Sequence, residues 1–357
     1  MTDRTLDRRT ALKLGGTTLA AALAGCNARR TGTATGTDST ATADSGGDTT
    51  SSYADVHQAT ADSVVLVDPP RGQGTGFVYD DGHIVTNAHV VGEADEADIR
   101  FSSGAWTSGP VVGRDVHSDL AVVAVESMPE EATPLPFADR PAVVGEEVVV
   151  IGNPFGLGGT VTAGIVSGVD RSIPSPAGFP IPDAIQTDAA VNPGNSGGPM
   201  MRLDGTVLAV INSGGGDNIA FGISAALTTR VVPELIETGE YDHSFIGAAF
   251  TPVTPEIATA NDLETARGLA VTAVLDDGPA AGVLQASEDT TIVEGRQVPV
   301  GGDILLAIDD RTLLTTEGLG SYLALETRPG ETVDLTVLRA GDEQTITLEL
   351  GVQPNEL

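Results

Sequence analysis

Basic side chains and cysteine are scarce in this sequence, and each shortage excludes a kind of function. The 357 residues include 18 Lys+Arg against 50 Asp+Glu, so the formal net charge is −32, and Lys13 is the single lysine. Because such a field repels phosphate backbones, we expect no nucleic-acid partner. The one cysteine, Cys26, excludes an intrachain disulfide and a cysteine-based metal site.

Aromatic residues are also few, at 4%, and the acidic residues are spread along the whole chain rather than gathered in a tail. Dispersed carboxylates with almost no lysine are typical of proteins that stay soluble in near-saturated salt, which screens their mutual repulsion. We therefore expect a haloarchaeal source. Hydrophobic residues make up 40%, enough to bury real cores, and the length predicts about two domains with additions.

The first residues have the pattern of an export signal. Arg8-Arg9 precedes an apolar stretch, 14–25, that ends in Leu23-Ala24-Gly25-Cys26. This stretch is too short to cross about 30 Å of hydrocarbon comfortably. We predict a twin-arginine signal over 1–25 and lipid attachment at Cys26, which would hold the protein on the outer face of the cell membrane. An uncleaved anchor and a buried helix with an incidental cysteine are the alternatives.

A tether and two modules are predicted after the signal. Residues 26–52 carry Thr, Ser, Gly, Ala and Asp with no large apolar side chain, which predicts a flexible tether. From 53 to 241, short Val- and Ile-rich runs bounded by turn residues predict a β-barrel or sandwich. Near the end of this range, apolar residues recur with a helical period over 225–238, and Gly239 is a stop signal. Residues 242–352 form a second strand-rich block, with a helical stretch at 319–325.

Ser196 is the first candidate for chemistry, within Gly194-Asn195-Ser196-Gly197-Gly198. A serine hydroxyl is a poor nucleophile unless a base takes its proton and N–H donors receive the negative charge that develops. Glycines let the backbone turn so that the N–H groups of Gly194 and Ser196 converge on one oxygen. The predicted oxyanion hole therefore spans Gly194, Asn195 and Ser196. Taken alone, such a segment is more often an ordinary Gly/Ser turn.

His89 and Asp119 complete the candidate set. His89 lies in Thr86-Asn87-Ala88-His89-Val90-Val91 and Asp119 in Ser118-Asp119-Leu120-Ala121. Each alone is typical of a core histidine or a turn residue, but the chain order His, Asp, Ser is that of two-barrel serine proteases. His89 would act as the base and Asp119 would orient it. His117 is a weaker base, and the remaining histidines are assigned to surface or packing roles: His57, His83 and His243.

These segments together resemble the HtrA/Deg family of serine endopeptidases over roughly residues 55 to 350. The resemblance rests on the three segments above and on the motifs Gly74-Thr75-Gly76-Phe77, Gly152-Asn153-Pro154-Phe155-Gly156, residues 160–167 and residues 186–199. It implies a mainly β fold, a trypsin-like double β-barrel protease domain followed by a single PDZ domain. It also suggests a homotrimer. A short loop at 67–73 and the single PDZ-like block depart from members with a long gating loop or two PDZ domains.

The resemblance also implies binding sites for the substrate. Val191 lines the S1 pocket and predicts cleavage after small aliphatic residues. The loop with Asn212, Ser213 and Gly214 forms another side of that pocket. In the second block, Phe245, Ile246, Gly247 and Ala248 resemble the PDZ loop that binds a peptide's C-terminal carboxylate, with the peptide adding as a strand. Residues 285–299 form an acidic insertion.

Two functions are weighed on these grounds. The first is an exported, membrane-tethered serine endopeptidase that hydrolyses unfolded or damaged proteins through an acyl-enzyme, with peptides recruited by the PDZ domain. The second is a chaperone-like holdase or peptide-binding protein with little proteolysis. No cofactor and no metal are expected, because the sequence has no Gly-Lys-Ser/Thr and its acidic pairs lack EF-hand spacing.

Overall fold

Short strands joined by tight turns make up most of the chain that a computed structural model describes, residues 52–153, 159–175, 178–216 and 218–354. The predicted signal, Cys26 and all of the predicted tether except Ser52 lie outside these residues. Within the described ranges, no helix is long and apolar enough to cross a membrane. The same ranges contain no group of three or more His, Cys, Asp or Glu side chains that could hold a metal ion.

Six strands build a first closed barrel: Val64–Asp68 (β1), Gly74–Asp80 (β2), His83–Thr86 (β3), Glu96–Arg100 (β4), Trp106–Asp115 (β5) and Leu120–Ala124 (β6). All neighbours are antiparallel, in the order β1-β2-β3-β6-β5-β4. The β-branched side chains Val67, Ile84 and Ile99 fill its interior and are fully buried. Closure leaves the barrel without a free edge.

The next six strands close a second barrel: Glu147–Gly152 (β7), Thr160–Pro174 (β8), Pro180–Thr187 (β9), Pro199–Arg202 (β10), Val207–Gly216 (β11) and Ile219–Ser224 (β12). Their order is β10-β11-β12-β9-β8-β7. One apolar cluster joins the two barrels, with Phe77 and Leu120 from the first barrel and Ile151 and Val210 from the second. The loops that carry the candidate site residues meet at the boundary between the barrels.

In the described ranges, five α-helices accompany the strands: Tyr53–Thr60 (α1), Ala88–Val91 (α2), Ala225–Thr238 (α3), Pro255–Ala260 (α4) and Thr316–Glu326 (α5). A 3₁₀ turn, Ala61–Ser63, follows α1. The predicted bounds of α3 are confirmed: the Ser224 hydroxyl accepts from Leu227 N at its start, and Gly239, at φ +85°, ends it. Its buried face packs against the cluster shared by the barrels.

Between α3 and residue 354, the last that the structure describes, lie a sheet, two strand pairs and two helices. The strands are Ser244–Phe245 (β13), Ala248–Pro252 (β14), Leu269–Val274 (β15), Asp289–Val293 (β16), Arg296–Val300 (β17), Asp303–Ile308 (β18), Arg311–Thr312 (β19), Thr332–Arg339 (β20), Asp342–Glu349 (β21) and Gly351–Val352 (β22). The sheet order is β14-β15-β18-β20-β21, with β19 on β18, while β13 pairs β22 and β16 pairs β17. The predicted helical stretch at 319–325 lies within α5, and the predicted acidic insertion, 285–299, contains the β16–β17 hairpin except for its last residue, Val300. The mainly β prediction is confirmed.

Candidate active site

His89 and Asp119 meet because β3 and β6 are neighbours in the first barrel. Thr86 pairs with Ala121 across these strands, so the short helix α2 that follows β3 lies beside the turn that precedes β6. Both carboxylate oxygens of Asp119 are used. Oδ2 lies 2.6 Å from Nδ1 of His89, and Oδ1 accepts from the backbone N–H of His89 at 2.8 Å. Ring and backbone of the histidine are therefore held by one side chain.

The environment of this pair is asymmetric. The Asp119 side chain is 2% exposed and that of His89 is 37% exposed, so the carboxylate is enclosed while the imidazole faces open space. Asp119 has φ +54°, a left-handed conformation that aspartate tolerates better than most residues. Its carbonyl accepts from Ala88 N at 3.1 Å and from Asn87 Nδ2 at 2.9 Å. These bonds fix the turn that presents the carboxylate.

Ser196 lies in a turn between β9 and β10 that is fastened to β11. Gly197 N donates to Ile211 O at 2.7 Å, and Ile211 N donates to Gly198 O at 2.8 Å. The Ser196 hydroxyl donates to the carbonyl of Asn212 at 2.8 Å. Among the hydrogen bonds of the described residues, none joins this hydroxyl to His89. The arrangement thus brings the three predicted residues to one place and turns the serine hydroxyl toward Asn212.

Asn212 connects Ser196 with the His89–Asp119 pair. Its side chain is buried and donates from Nδ2 to Asp119 Oδ2 at 2.5 Å, while its carbonyl receives the Ser196 hydroxyl. We predicted this residue in the S1 wall. That assignment stays a prediction; the amide also contacts the carboxylate oxygen that holds the imidazole. Nothing local in the sequence predicts this contact, since it depends on the path of β11.

Thr75 is a second residue whose position the sequence did not predict. It is fully buried on β2. Its N–H donates to Ser196 O at 2.8 Å, and its hydroxyl donates to Gly194 O at 2.6 Å and accepts from Asn153 N at 2.9 Å. One side chain of the first barrel therefore holds the serine turn of the second. The only sequence signal for this role is the Gly-Thr-Gly motif, which contributes to the family resemblance without indicating a contact.

The predicted oxyanion hole has two N–H groups available. Gly194 adopts φ +99°, a conformation that glycine accepts without strain. Among the described residues, the N–H groups of Gly194 and Ser196 have no acceptor. The N–H of Asn195 donates to Asn192 O at 3.0 Å. The N–H groups of Gly194 and Ser196 are therefore the donors available for the oxygen of a substrate.

The structure describes the packing of one predicted S1 residue, Val191, and only the strand pairing of two others, Ser213 and Gly214. Val191 is half-buried and packs against the apolar cluster of the second barrel. Ser213 and Gly214 pair through β11 with Phe221 and Ala220 of β12. Their side-chain environment falls outside the part of the chain that the structure describes.

The predicted carboxylate loop of the second module joins β13 to β14. Gly247 has φ +78°, and a Cβ there would lie 2.8 Å from Pro279, so only glycine fits. The carbonyls of Ile246 and Gly247 accept from Ala280 N and Leu275 N, both at 2.9 Å. Strand β14, which starts at Ala248, is an edge of its sheet. A cavity of about 240 Å³ is lined by all four predicted residues, Phe245 to Ala248, and by α5.

Asp115 and His243 form a buried pair outside the predicted set. Their side chains are 3% and 6% exposed, and His243 Nε2 lies 2.7 Å from Asp115 Oδ2. Burial raises the pKa of Asp115, but bonds and charge attraction from His243, with bonds from Ser118 and His117, outweigh it and leave that pKa below its usual value. His243, assigned from the sequence to a surface or packing role, has a specific polar partner.

Comparison with known proteins agrees with this architecture. A trypsin-like peptidase domain model matches residues 74–210, and a PDZ domain model matches 244–350. A probable periplasmic serine endoprotease DegP-like of Brucella suis biovar 1 is 37% identical over 294 residues, 80% of this chain and 54% of that protein. A protein described likewise from Rhizobium meliloti is 38% identical, covering 80% and 55%. The chain thus spans about half the length of these curated relatives.

Solved structures match along nearly their whole length. The HtrA-type protease AlgW with a tripeptide is 31% identical, with a TM-score of 0.68, and the match covers 85% of this chain and 98% of that one. The serine endoprotease from Yersinia pestis is 28% identical, with a TM-score of 0.61, covering 85% and 99%. Fold and site define a trypsin-like peptidase domain followed by a PDZ domain. The chain belongs to the HtrA family, as the resemblance in its motifs predicted.

Proposed function

We propose that this protein is a serine endopeptidase that cleaves unfolded or damaged protein chains through an acyl-enzyme on Ser196. The observation that carries the proposal is the cluster of Asp119, His89, Asn212 and Ser196. A buried carboxylate holds an exposed imidazole by Nδ1 at 2.6 Å, which leaves Nε2 for a proton transfer. A shared neighbour, Asn212, contacts both Asp119 and Ser196.

The reaction follows from the chemistry of these groups. The Ser196 oxygen attacks the peptide carbonyl carbon while His89 Nε2 takes the hydroxyl proton. The N–H groups of Gly194 and Ser196 donate to the oxyanion of the tetrahedral intermediate. The C–N bond then breaks as His89 returns the proton to the leaving amine. Water, deprotonated by His89, releases the acid by the same steps in reverse order.

The direction of the Ser196 hydroxyl differs between the described arrangement and this chemistry. The Ser196 hydroxyl donates to Asn212 O rather than to His89, and we propose that it turns about its Cα–Cβ bond before the first proton transfer. Rotation between staggered rotamers is a small, fast change. We propose that the described arrangement is a resting one and that bound substrate, whose carbonyl the N–H groups of Gly194 and Ser196 would hold, favours the productive rotamer.

Substrate selection is proposed at two places. Val191, with Asn212, Ser213 and Gly214, would shape a shallow apolar S1 pocket that favours cleavage after small aliphatic residues. The loop from Phe245 to Ala248 would hold the C-terminal carboxylate of a peptide, which adds to the free edge of β14. The relatives solved with a tripeptide and a decapeptide support peptide binding.

Export and tethering complete the proposal. The relatives described as periplasmic support an exported protein. We propose residues 1–25 as the signal, Cys26 as the lipid site, 26–52 as the tether, 53–241 as the protease domain and 242–352 as the PDZ domain. A homotrimer in a haloarchaeal cell, with the lipid on the outer face of its membrane, fits the family resemblance and the acidic composition.

Comparing wild type with Ser196→Ala tests the proposal against a holdase. Both are incubated in molar salt with a reduced and alkylated protein, and both are assayed for suppression of aggregation. We expect new N-termini from wild type alone. Equal behaviour of the two proteins in both assays contradicts the protease and favours the holdase. Circular dichroism confirms that Ser196→Ala is folded.

A further inference from the structure

The turn that presents Asp119 is built around a second, buried carboxylate. Asp115 ends β5, and its side chain accepts from His117 N at 3.0 Å, from Ser118 N at 3.1 Å and from the Ser118 hydroxyl. These bonds close the turn from 115 to 119, and Asp119 follows at φ +54°. The orientation of the carboxylate that holds His89 therefore depends on Asp115 staying where it is.

The remaining partner of Asp115 comes from outside the barrel. His243 lies 128 positions later in the chain, directly before the segment that the PDZ model matches. Its ring is enclosed by Tyr241, at 4.7 Å between centroids, and by His117, at 5.4 Å. Its carbonyl accepts from Gln353 N at 2.9 Å. The ring is thus held firmly on both sides while Nε2 donates to the carboxylate.

A buried carboxylate needs each of its donors, because no water replaces a lost one without entering the core. Without His243, the Asp115 carboxylate would keep only the hydrogen-bond donors of its own turn. It could replace the lost donor with water only if the turn moved toward solvent. Such movement displaces Asp119, and displacement of a catalytic group by about 1 Å costs about 100-fold in rate.

We propose that His243 is a positioning residue of the active site: through Asp115 it fixes the turn that presents Asp119 to His89. This inference rests on the proposed function, since it concerns the rate of that reaction. It makes the junction between the two modules part of the catalytic machinery. His243 touches no reacting atom, and its effect passes through one hydrogen bond.

Two substitutions distinguish the effect of the hydrogen bond from His243 to Asp115 from the effect of the packing of the His243 ring. His243→Phe keeps a ring against Tyr241 and His117 but cannot donate, whereas His243→Gln places an amide N–H where Nε2 donates. The matched control is His83→Phe. Nδ1 of His83 lies at the same distance, 2.7 Å, from Oδ1 of Asp80 in a more exposed part of the same barrel. Hydrolysis of a small peptide substrate is measured in molar salt, with kcat and KM determined separately.

We expect His243→Phe to lower kcat about 10- to 100-fold with KM within twofold, His243→Gln to stay within threefold of wild type in kcat, and His83→Phe to match wild type. Equal kcat for His243→Phe and wild type overturns the inference, as does a loss in His243→Gln as large as in His243→Phe. If His243→Phe does not fold, His243→Asn, which is too short to reach Asp115, takes its place.

A second measurement does not depend on turnover. We expect the proton shared by His89 Nδ1 and Asp119 Oδ2, 2.6 Å apart, to give a downfield proton NMR signal, which the loss of that signal in His89→Ala would assign. We expect His243→Phe to shift or broaden this signal and His243→Gln to preserve it. An unchanged signal in His243→Phe overturns the inference even if wild type proves inactive. An inactive wild type with the expected NMR changes contradicts the proposed function and leaves the positioning role supported.

Discussion

Replacing Gly197 by alanine tests how closely the serine turn approaches the first barrel. Gly197 has φ +85°, and a Cβ there would lie 2.0 Å from Thr75 O and 2.4 Å from Thr86 Oγ1. The first of these atoms is backbone, so the turn itself must move. The left-handed conformation costs alanine about 1–2 kcal/mol, and overpacking adds about 1–3 kcal/mol. We expect Gly197→Ala to lose roughly 2–5 kcal/mol of stability.

Gly205→Ala is the matched control. Gly205 has φ +86°, and a Cβ there would meet nothing within 4 Å, so this variant loses only the conformational part, about 1–2 kcal/mol. Thermal unfolding in molar salt compares the two variants with wild type. At about 2–4 °C per kcal/mol, Tm falls by roughly 4–20 °C in Gly197→Ala and by roughly 2–8 °C in Gly205→Ala. Equal losses would refute the close approach of the serine turn to Thr75.

Two further variants test the site and its surroundings. Asn212→Ala removes a bond to the charged Asp119, worth about 1.5–3 kcal/mol. We expect kcat for a small peptide to fall about 10- to 100-fold, while Asn261→Ala, remote from the site, leaves kcat unchanged; equal kcat values would contradict the role of Asn212. Burial, with repulsion from Asp170, raises the pKa of Asp183, so its ionised form destabilises the fold at neutral pH. Asp183→Asn should raise Tm at pH 7, and the gain should shrink as the pH falls and vanish below about pH 3, where the wild-type carboxyl is protonated in both states; a constant gain would contradict this.

Local patterns in the sequence predicted the regular parts of the fold. The period of α3 and its glycine stop gave its bounds correctly, because capping and one apolar face are properties of neighbouring residues. Helix α2 was missed, since four residues carry no period. The choice between barrel and sandwich stayed open in the pattern, because strand closure is decided by pairings between distant segments. The prediction of two barrels came from the family resemblance.

The sequence indicates which residues are candidates for the site, but it does not indicate the contacts that their side chains make. The motifs around His89, Asp119 and Ser196 identify residue types that suit one reaction. The rotamer of Ser196, the amide of Asn212 on Asp119 and the pairing of His243 with Asp115 depend on side chains that only the folded chain brings together. Asn212 shows the difference most clearly: its motif predicts a place in the pocket wall, which stays a prediction, and does not indicate that its side chain donates to Asp119.

Covalent labelling tests the central claim most directly, namely that His89, Asp119 and Ser196 act as one unit. Folded wild type and His89→Ala are treated with a fluorophosphonate probe in molar salt, and the modified residue is identified by peptide mass spectrometry. We predict that the probe modifies wild type at Ser196 and that the rate falls at least 100-fold in His89→Ala. Modification of His89→Ala at the wild-type rate, or no modification of Ser196 in folded wild type, would contradict the account.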